Sequence, residues 1–506
     1  MTPLKTLVRH TSHYLGGQVA VMLLGFASFP IFTRVFSVAD YGTLALIQST
    51  VALLIVVAKF GFQHSIQRYY PEYASSADPV AVRRYYSTLF YGTGLVALAL
   101  TAVFFGSVAL GLGRFLGMAA TGTLLVACSL ILIRALRSMQ LNLMQMENKT
   151  RLYNIMEFSQ KAAGVGLTVV LLFAWRKNIM ACFIGMVVVE LGVLLQYIPV
   201  LERRGLLSVR LFDLGFFRAA TVFSFPLMIS EISWLMLATG DRFFVEHYLG
   251  LAAVGYYSAA CGIAIYVREV MMAPLQLSFF PICVKLWSAE GKEATQKFLS
   301  RSLNYFVMVS VLVVAVTMAT SGEVIVVLAS KKFQQARILL PYLIIGLVLS
   351  AMNTFFRPGL MIHKKVRKIA QATFFGCVVN IVLNIVLLPR FGLKGAAAAS
   401  VVSFLVMVTY SGYQSMRVLP FKIEWVATLR YVIVGVAAAW VASLVPIASP
   451  VPAAMLKAVV ILVLYAGALW LIDSQLREFV GHLIAVVTQA LGRREAAAEP
   501  LTVAAE

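Results

Sequence analysis

Long apolar runs alternate with short polar gaps along almost the whole chain. Each of fourteen runs is long enough to cross a bilayer, because a helix of about 20 apolar residues spans the hydrocarbon core. Lipid offers no hydrogen-bond partner to a bare backbone amide, so a chain built from such runs must be helical. The pattern predicts an all-α polytopic membrane protein with spans at 11–32, 43–63, 86–110, 117–138, 153–175, 179–200, 218–240, 251–275, 302–320, 337–356, 371–389, 395–415, 428–447 and 452–473.

The composition agrees with this pattern and excludes a soluble fold. Of the 506 residues, 61% are hydrophobic and 12% are charged, and the mean hydropathy is +0.88. Such values are typical of chains that lie mostly within a membrane. The five cysteines stand singly in or near apolar runs, without the spacing of a metal site or a disulfide framework. We therefore predict neither a metal site nor a disulfide.

Lys and Arg collect at the amino terminus, in every second gap and in the carboxyl tail. Because cytoplasmic loops carry the excess of positive charge, we predict a multi-pass protein of the bacterial inner (plasma) membrane with both termini in the cytoplasm. The strongest clusters are Arg83-Arg84, Arg203-Arg204 and residues 364–368, which suit solvated loops or contacts with anionic lipids. The net charge of +21 therefore reflects topology, and no nucleic-acid partner is predicted.

The two halves of the chain echo each other. The segment FSVADYG at 36–42 follows the first predicted span, and LGLAAVG at 249–255 follows the seventh, 213 residues later. Six spans separate the copies, so both halves enter from the same side and are predicted to be parallel repeats. We predict a six-helix lobe at 1–205, a second at 206–420 that begins with an interfacial helical linker, two further spans at 421–474 and a cytoplasmic amphipathic tail at 475–506.

Four segments are similar to motifs at equivalent places in one group of transporters. They are TRVFSVADYG at 33–42, GDRFFV at 240–245, GYYS at 255–258 and NIVLNIVLLPRFGLKGAA at 380–397. Together they resemble the polysaccharide-transport branch of the multidrug/oligosaccharidyl-lipid/polysaccharide flippase superfamily, over about residues 10–415.

The resemblance implies a flippase that moves undecaprenyl-diphosphate-linked oligosaccharides across the inner membrane by alternating access. The cargo would be a unit of O-antigen, capsule or exopolysaccharide, and the resemblance does not imply which glycan. The implied partners are this lipid-linked oligosaccharide, the membrane lipids and a polysaccharide polymerase or assembly machinery.

Cations within or beside the spans are the candidates for holding the diphosphate of such a cargo. An in-span cation costs about 2.5–3.5 kcal/mol on insertion scales, so it is rare without a purpose or a partner. A similarity to the lipid II flippase branch implies cavity-facing cations on helices one, two and eight. Lys59 and Arg268 match helices two and eight, and Lys161 is the candidate to replace the missing one. The candidate set is Arg268, Lys161, Lys59, Arg34, Arg242 and Arg134.

Other roles for these cations stay open in the sequence. Glu157 and Lys161 lie four apart and can neutralise each other, whereas Arg268 and its neighbour Glu269 are expected to point in different directions. Cations near span ends, such as Lys59, Arg134 and Lys457, can snorkel to the headgroups. For Arg34 and Arg242 the alternative is latching a closed outer gate against Asp40 or Asp241.

Acids and amides within the spans are the candidates for ion coupling. Glu231 and Glu190 lie mid-span, and burial makes a carboxyl group easier to protonate. Asn380 and Asn384 share a face of span eleven and can offer amide oxygens to sodium, although bonding between helices is the alternative. Asp241 completes the candidate set. Apart from coupling to a Na⁺ or H⁺ gradient, no cofactor is predicted.

Two other functions are weighed against a flippase. A cation-coupled multidrug exporter of the same superfamily would favour an acidic, aromatic cavity. A membrane glycan polymerase or ligase would need catalytic residues on a long outer loop, but the longest outer gap, 321–336, carries only Glu323, Lys331 and Lys332 as charged residues. We predict no catalytic residues and no enzyme.

Overall fold

The structure is a computed structural model that describes residues 20–74, 78–111, 121–147, 149–175, 177–203, 205–445, 449–473 and 477. Thirteen of its helices are long and apolar enough to cross a membrane, and they correspond to predicted spans two to fourteen. Span one is described as the shorter apolar helix Ala20–Val35, and the rest of its predicted range lies outside the described residues. The all-α polytopic fold is confirmed.

We group the helices by the predicted division into two lobes and an added pair, which stays a prediction. The first lobe contains α1 (Ala20–Val35), α2 (Val38–Lys59), α3 (Phe62–Ala74), α4 (Pro79–Ala109), α5 (Thr121–Met146), α6 (Thr150–Ala174) and α7 (Ile179–Arg203). The second lobe contains α8 (Leu214–Thr239), α9 (Asp241–Leu249), α10 (Leu251–Ala289), α11 (Gly291–Ala329), α12 (Leu339–Ile362), α13 (Val366–Phe391) and α14 (Leu393–Met416). The added pair is α15 (Trp425–Ser443) and α16 (Pro450–Ile472).

Several helices differ in extent from the predicted spans. The helices α10 and α11 are each 39 residues long, much longer than their predicted spans, because helix continues into the apolar stretch Phe279–Ala289 of α10 and beyond both predicted ends of the span in α11. The predicted outer gap 321–336 is mostly helical, since α11 reaches Ala329 and a 3₁₀ helix covers Lys331–Ile338. The predicted tail lies outside the described residues except at position 477, and the residue limits of the lobes stay predictions.

The linker between the lobes is not a surface helix. It contains one 3₁₀ turn, Val209–Leu211, after which α8 begins at Leu214. Its aromatic residues are drawn inward instead: Phe217 packs on Phe62 and Phe212. A short apolar segment gains more from burial in an aromatic cluster than from lying at the interface.

The second span breaks into α2 and α3 at Phe60 and Gly61. Both residues have positive φ angles, of 48° and 71°, a conformation that glycine adopts without steric cost. A Cβ atom on Gly61 would lie 2.7 Å from the carbonyl oxygen of Ser224 in α8. The break therefore brings the inner end of the first lobe into backbone contact with the second lobe.

The outer ends of the lobes meet at the two repeat glycines. By the predicted topology, the outer end is where α2 and α10 begin. A Cβ atom on Gly42 would lie 2.0 Å from the carbonyl oxygen of Leu251, and one on Gly255 would lie 2.0 Å from that of Val38. We call this contact the outer seam. It requires glycine at both positions, which gives the repeated motif a structural reason.

Two cations fasten the outer end beside this seam. Arg34 donates from Nη2 to the carbonyl oxygen of Val327 at 2.8 Å, and Lys332 donates from Nζ to the carbonyl oxygens of Arg34 and Phe36 at 2.9 and 2.8 Å. The expected partners of Arg34 were wrong, because Asp40 instead accepts from Ser37 at the start of its own helix. The C-terminal carbonyls of α11 carry partial negative charge that suits a cation.

A valine in place of Gly42 should hold the outer seam open. Its side chain would overlap the backbone of α10, so the buried cluster that contains Cys261 should become accessible. In a variant that retains only Cys261, we expect maleimide labelling in the membrane to be about tenfold faster. The control is Gly467→Val, because a Cβ atom there meets nothing within 4 Å. Equal labelling of the two variants would contradict the closed seam.

Candidate functional site

A polar cavity of about 230 Å³ lies where the two lobes meet. Five helices of the first lobe (α1, α2, α5, α6 and α7) line it, and Tyr266 of α10 contributes from the second lobe. We call it the inter-lobe cavity. Its polar lining includes Gln48, Arg134, Gln160, Lys161 and Glu190, and its aromatic lining is Phe29, Phe32, Tyr41 and Tyr266.

Arg134 is held in this cavity by Glu190. Its Nε donates to Oε2 at 2.9 Å and its Nη2 to Oε1 at 2.8 Å, a bidentate pair that joins α5 to α7. The carboxylate is buried, with a side-chain exposure of 8%. A bidentate guanidinium–carboxylate pair is strong and geometrically defined. The pair of Arg134 and Glu190 is neutral as a whole. Arg134 therefore does not reach for the headgroups, contrary to what the sequence led us to expect.

Lys161 differs from Arg134 because its ammonium group binds no carboxylate among the described residues. It is exposed to the cavity and makes no hydrogen bond or ion pair with the described residues, although Arg134 and Glu190 lie within electrostatic range. The expected pairing with Glu157 was wrong: that carboxylate accepts from Nη2 of Arg137 at 2.5 Å. A guanidinium on the neighbouring helix competes successfully for the carboxylate. Sequence reasoning missed Arg137, which lies at the end of a predicted span.

Two amides give the cavity further hydrogen-bonding capacity. Gln160 is only 9% exposed, and its Oε1 atom finds no partner among the described residues. Gln48 is exposed to the same space. An unpaired buried amide oxygen is costly unless a ligand or water completes its bonding. Together with the rings of Tyr41 and Tyr266, these amides can bind hydroxyl-rich, ring-shaped groups.

Lys59 and Glu231 form an ion pair between the lobes. Nζ of Lys59 lies 2.7 Å from Oε1 of Glu231, and Gln63 donates to the other carboxylate oxygen. Both charged side chains are largely covered, with exposures of 14% and 25%. The pair lies beside the break in the second span. Lys59 therefore binds Glu231 and does not extend to the lipid headgroups. It ties α2 and α3 to α8.

The other two cations that the sequence places within predicted spans, Arg268 and Lys457, also have carboxylate partners. Arg268 lies 3.2 Å from Glu269, so the expectation that these neighbours point apart was wrong, since a long guanidinium side chain can curl back along its helix. Lys457 lies 2.5 Å from Glu323 and joins α16 to α11 rather than snorkelling. Both pairs follow the rule that charges within a membrane are partnered.

Asp241 is the centre of a buried cluster in the second lobe. Its Oδ1 accepts from Asn384 at 2.7 Å, and its Oδ2 accepts from Ser400 and Tyr257 at 2.6 and 2.5 Å. Asn384 also donates to the carbonyl oxygen of Asn380 at 2.9 Å. All five residues are no more than 3% exposed. We call this set the Asp241 cluster; it brings together α9, α10, α13 and α14.

Three of these five residues were candidates from the sequence, and two were not. Ser400 carried no signal, because a serine in an apolar helix is an ordinary packing residue, and Tyr257 lies in the GYYS motif but was not named as a site residue. Arg242 does not join the cluster. It donates to Ser258 at 3.1 Å and to Ser49 of α2 at 2.8 Å, so it links the start of α9 to the first lobe.

The sequence of the chain is similar to those of several known proteins. A family profile described as "Polysaccharide biosynthesis protein" matches residues 7–287, more than half of the chain. A relative from Haemophilus influenzae, "Lsg locus putative protein 1", is 22% identical over 264 residues, which are 51% of this chain and 62% of the relative. The "Probable low-salt glycan biosynthesis flippase Agl15" of Haloferax volcanii is 31% identical over 121 residues, 23% of this chain and 22% of the relative. The chain thus spans less than two thirds of the length of either curated relative.

Two solved structures share the fold. The structure titled "Lipid II flippase MurJ, inward closed conformation" has a TM-score of 0.73 at 14% identity, covering 90% of this chain and 99% of its own. An inward-facing multidrug resistance MATE family transporter of the MOP superfamily has a TM-score of 0.58 at 14% identity, covering 78% and 94%. With the profile match over more than half its length, this multi-pass membrane protein belongs to the polysaccharide biosynthesis protein family.

Proposed function

We propose that the protein is a flippase for lipid-linked oligosaccharides of the O-antigen, capsule or exopolysaccharide type. The observation that supports it most is an ammonium group, that of Lys161, open to a polar cavity between the lobes and unpaired by the described residues. A cation in a membrane span is costly and marks a binding pathway when no protein partner neutralises it. A diphosphate supplies the charge that this site lacks.

The chemistry of the inter-lobe cavity suits the head of such a cargo. Lys161 binds the diphosphate, with Arg268 as the second candidate, while Arg134 is held by Glu190 and shapes the wall. The ring faces of Tyr41 and Tyr266 and the amides of the cavity suit sugar rings, since each sugar presents an apolar face and several hydroxyl groups. The polyprenyl chain stays in the surrounding lipid during transport.

Two inter-lobe contacts serve as gates for alternating access. The outer seam and Arg34 close the outer end, whereas the pair of Lys59 and Glu231 ties the inner part of α2 to α8. An arriving diphosphate competes with Glu231 for Lys59. Release of this tie lets the lobes rock apart. Glu231 is in addition the candidate for proton exchange, because protonation removes its attraction for Lys59.

The Asp241 cluster is the proposed site of a coupling sodium ion. Its donor set consists of oxygens: the Asp241 carboxylate, the Ser400 hydroxyl and the Asn380 amide, with the carbonyl oxygen of Ala396 bonded to Ser400. Oδ1 of Asn384 is buried and has no hydrogen-bond partner among the described residues. Rotation of the Asn384 amide would present this oxygen to the carboxylate side, where a cation belongs. The residues therefore fit a hard monovalent cation.

Names of relatives and neighbours point in the same direction. One relative is named a glycan biosynthesis flippase and one structural neighbour a lipid II flippase. The multidrug neighbour keeps a drug exporter as the alternative, but the unpaired charge in the inter-lobe cavity is positive and repels cationic drugs. We place the protein in the bacterial inner membrane with cytoplasmic termini, as a transporter that hands its cargo to a polysaccharide polymerase.

Replacing Lys161 by glutamine should reduce translocation. A lost charge-assisted bond to phosphate weakens binding by about 1.5–3 kcal/mol, or about ten- to a hundredfold. Surface polymer should fall and lipid-linked units should accumulate inside the cell, at unchanged protein abundance. Lys161→Arg should retain activity, and Lys177→Gln, in an exposed position, is the matched control. Normal export by Lys161→Ala combined with Arg268→Ala would overturn the cation assignment.

Asp241→Asn should abolish stabilisation by sodium. In detergent, replacing choline chloride by sodium chloride should raise the Tm of the natural chain, because an ion that binds only the folded state stabilises it. Neither Asp241→Asn nor Asn384→Ala should respond. A sodium response in Asp241→Asn equal to that of the unchanged protein would refute this ion site.

Lys59 and Glu231 should show strong energetic coupling. Each change to glutamine leaves one charge without its partner, so the double variant should lose less stability than the two single losses together, by about 1–2 kcal/mol. Thermal unfolding of the four proteins gives this value. The exposed pair Arg68 and Glu72 is the control, with an expected coupling of about 0.3–0.5 kcal/mol. Equal coupling in the two pairs would contradict an inter-lobe tie.

A further inference from the structure

A long apolar groove lies between the second lobe and the added helices. Helices α11, α12, α14 and α15 line it, and its volume is about 710 Å³. Valine, leucine and methionine side chains make up most of its wall, among them Val314, Met352, Leu405 and Val436. None of the described residues that line it comes from α1, α2, α8 or α10, so it is separate from the inter-lobe cavity.

The inner end of this groove opens into a basic depression. A second cavity, of about 580 Å³, is lined by Lys297, Arg301 and Lys422 and shares Ser300 and Glu424 with the apolar groove. We call it the basic rim. The two spaces therefore adjoin at these two residues, with positive charge on one side and apolar side chains on the other.

The chain builds the basic rim with specific contacts. Ser300 donates to the carbonyl oxygen of Lys422 at 2.6 Å, and Gln296 donates to that of Pro420. These bonds hold the α14–α15 connection against α11, which places Lys422 across from Lys297. The N-terminus of α15 begins at Trp425, directly behind Glu424, and its amides add partial positive charge.

Aromatic residues place the basic rim at the level of the lipid headgroups. Trp425 and Tyr413 line the groove near its mouth and are 71% and 58% exposed. Arg417 lies over the ring of Tyr413, 5.4 Å from its centre. Exposed Trp and Tyr with neighbouring cations mark the membrane–water interface. By the predicted topology, this interface is the cytoplasmic one.

We propose that the basic rim and the apolar groove together bind one anionic phospholipid of the inner leaflet, such as cardiolipin or phosphatidylglycerol. Lys297 and Lys422 hold its phosphate, and an acyl chain fills the groove. Basic pockets between membrane helices on the cytoplasmic side are suited to such headgroups. The bound lipid stabilises the packing of α15 against the second lobe at the inner end. The ion pair of Lys457 and Glu323 joins α16 to α11.

Native mass spectrometry of the purified full chain tests this site. The protein is titrated separately with cardiolipin, phosphatidylglycerol, phosphatidylcholine, undecaprenyl phosphate and inorganic phosphate. The anionic phospholipids should bind about tenfold more tightly than phosphatidylcholine. Inorganic phosphate alone should not compete, because it lacks the chain. Lys297→Gln combined with Lys422→Gln should weaken cardiolipin binding by about tenfold.

Matched variants separate a built site from general attraction. Lys365→Gln combined with Lys368→Gln removes the same charge from the same end of the molecule and should leave cardiolipin binding unchanged. Val436→Trp fills the groove and should weaken binding, whereas Val441→Trp, on the same helix outside the groove, should not.

Four results would overturn the proposal. Equal loss in both lysine pairs would mean nonspecific attraction, and displacement by inorganic phosphate would mean that the chain is not held. Tighter binding of undecaprenyl phosphate than of phosphatidylglycerol would assign the groove to a polyprenyl carrier. Several-fold tighter cardiolipin binding by a chain ending at Asp473 would assign it to the protein's own tail. Each result leaves the proposed transport function standing, since that function is tested at Lys161.

Discussion

Hydrocarbon supplies no partner for a charge, and this constraint governs where the ionisable side chains of the bundle lie. Arg134 is bound by Glu190, Lys59 by Glu231 and Lys457 by Glu323, each across two helices. Every such pair fixes the relative position of the helices that carry it, because breaking it would strand a charge in a medium of low dielectric constant. Lys161, open to the inter-lobe cavity, has no such partner among the described residues, and the proposed function is built on it.

The outer seam brings the backbones of the two lobes into direct contact. Gly42 and Gly255 let α2 and α10 touch, so the second spans of the two repeat copies meet at one point. Contacts of this kind lose little side-chain entropy when they separate and reform. The seam is therefore well suited to open and close, whereas the ion pair of Lys59 and Glu231 provides a stronger tie farther in.

The proposed cargo and ion sites are physically connected. Asp241 belongs to the buried cluster, and the next residue, Arg242, reaches across to Ser49 of α2 in the first lobe. A change in the occupancy of the cluster would act on this bond and on the seam beside it. In the proposed function, coupling runs through the adjacent residues Asp241 and Arg242 at the start of α9, and no long chain of contacts is required.

The hydrophobic pattern was sufficient for most of the fold. The order and number of spans follow from runs long enough to cross lipid, and the repeat motif identified Gly42 and Gly255 before their contact was visible. Helix ends were less predictable, because an apolar stretch at the end of α10 and a polar stretch at the start of α11 both continue as helix beyond the predicted spans. The aromatic residues of the linker were predicted at the membrane interface but pack in the interior, because both environments favour phenylalanine.

The candidate site was predictable in residue type but not in pairing. Charges within spans are conspicuous, so Lys161 and Glu190 were found from the sequence pattern, whereas Asp241 and Asn384 lie in motifs that carry the family resemblance. Which carboxylate neutralises which cation depends on helices distant in sequence: Glu157 takes Arg137 and not Lys161. Ser400 and Tyr257 become functional candidates only through their bonds to Asp241.

The sequence by itself determined that the chain spans a membrane, how often it does so and which side chains carry costly charge, because these depend on local hydrophobicity. Tertiary structure alone decided which charges are cancelled, which one stays open and where the apolar groove meets the basic rim. Those outcomes depend on distances between helices, and packing sets such distances.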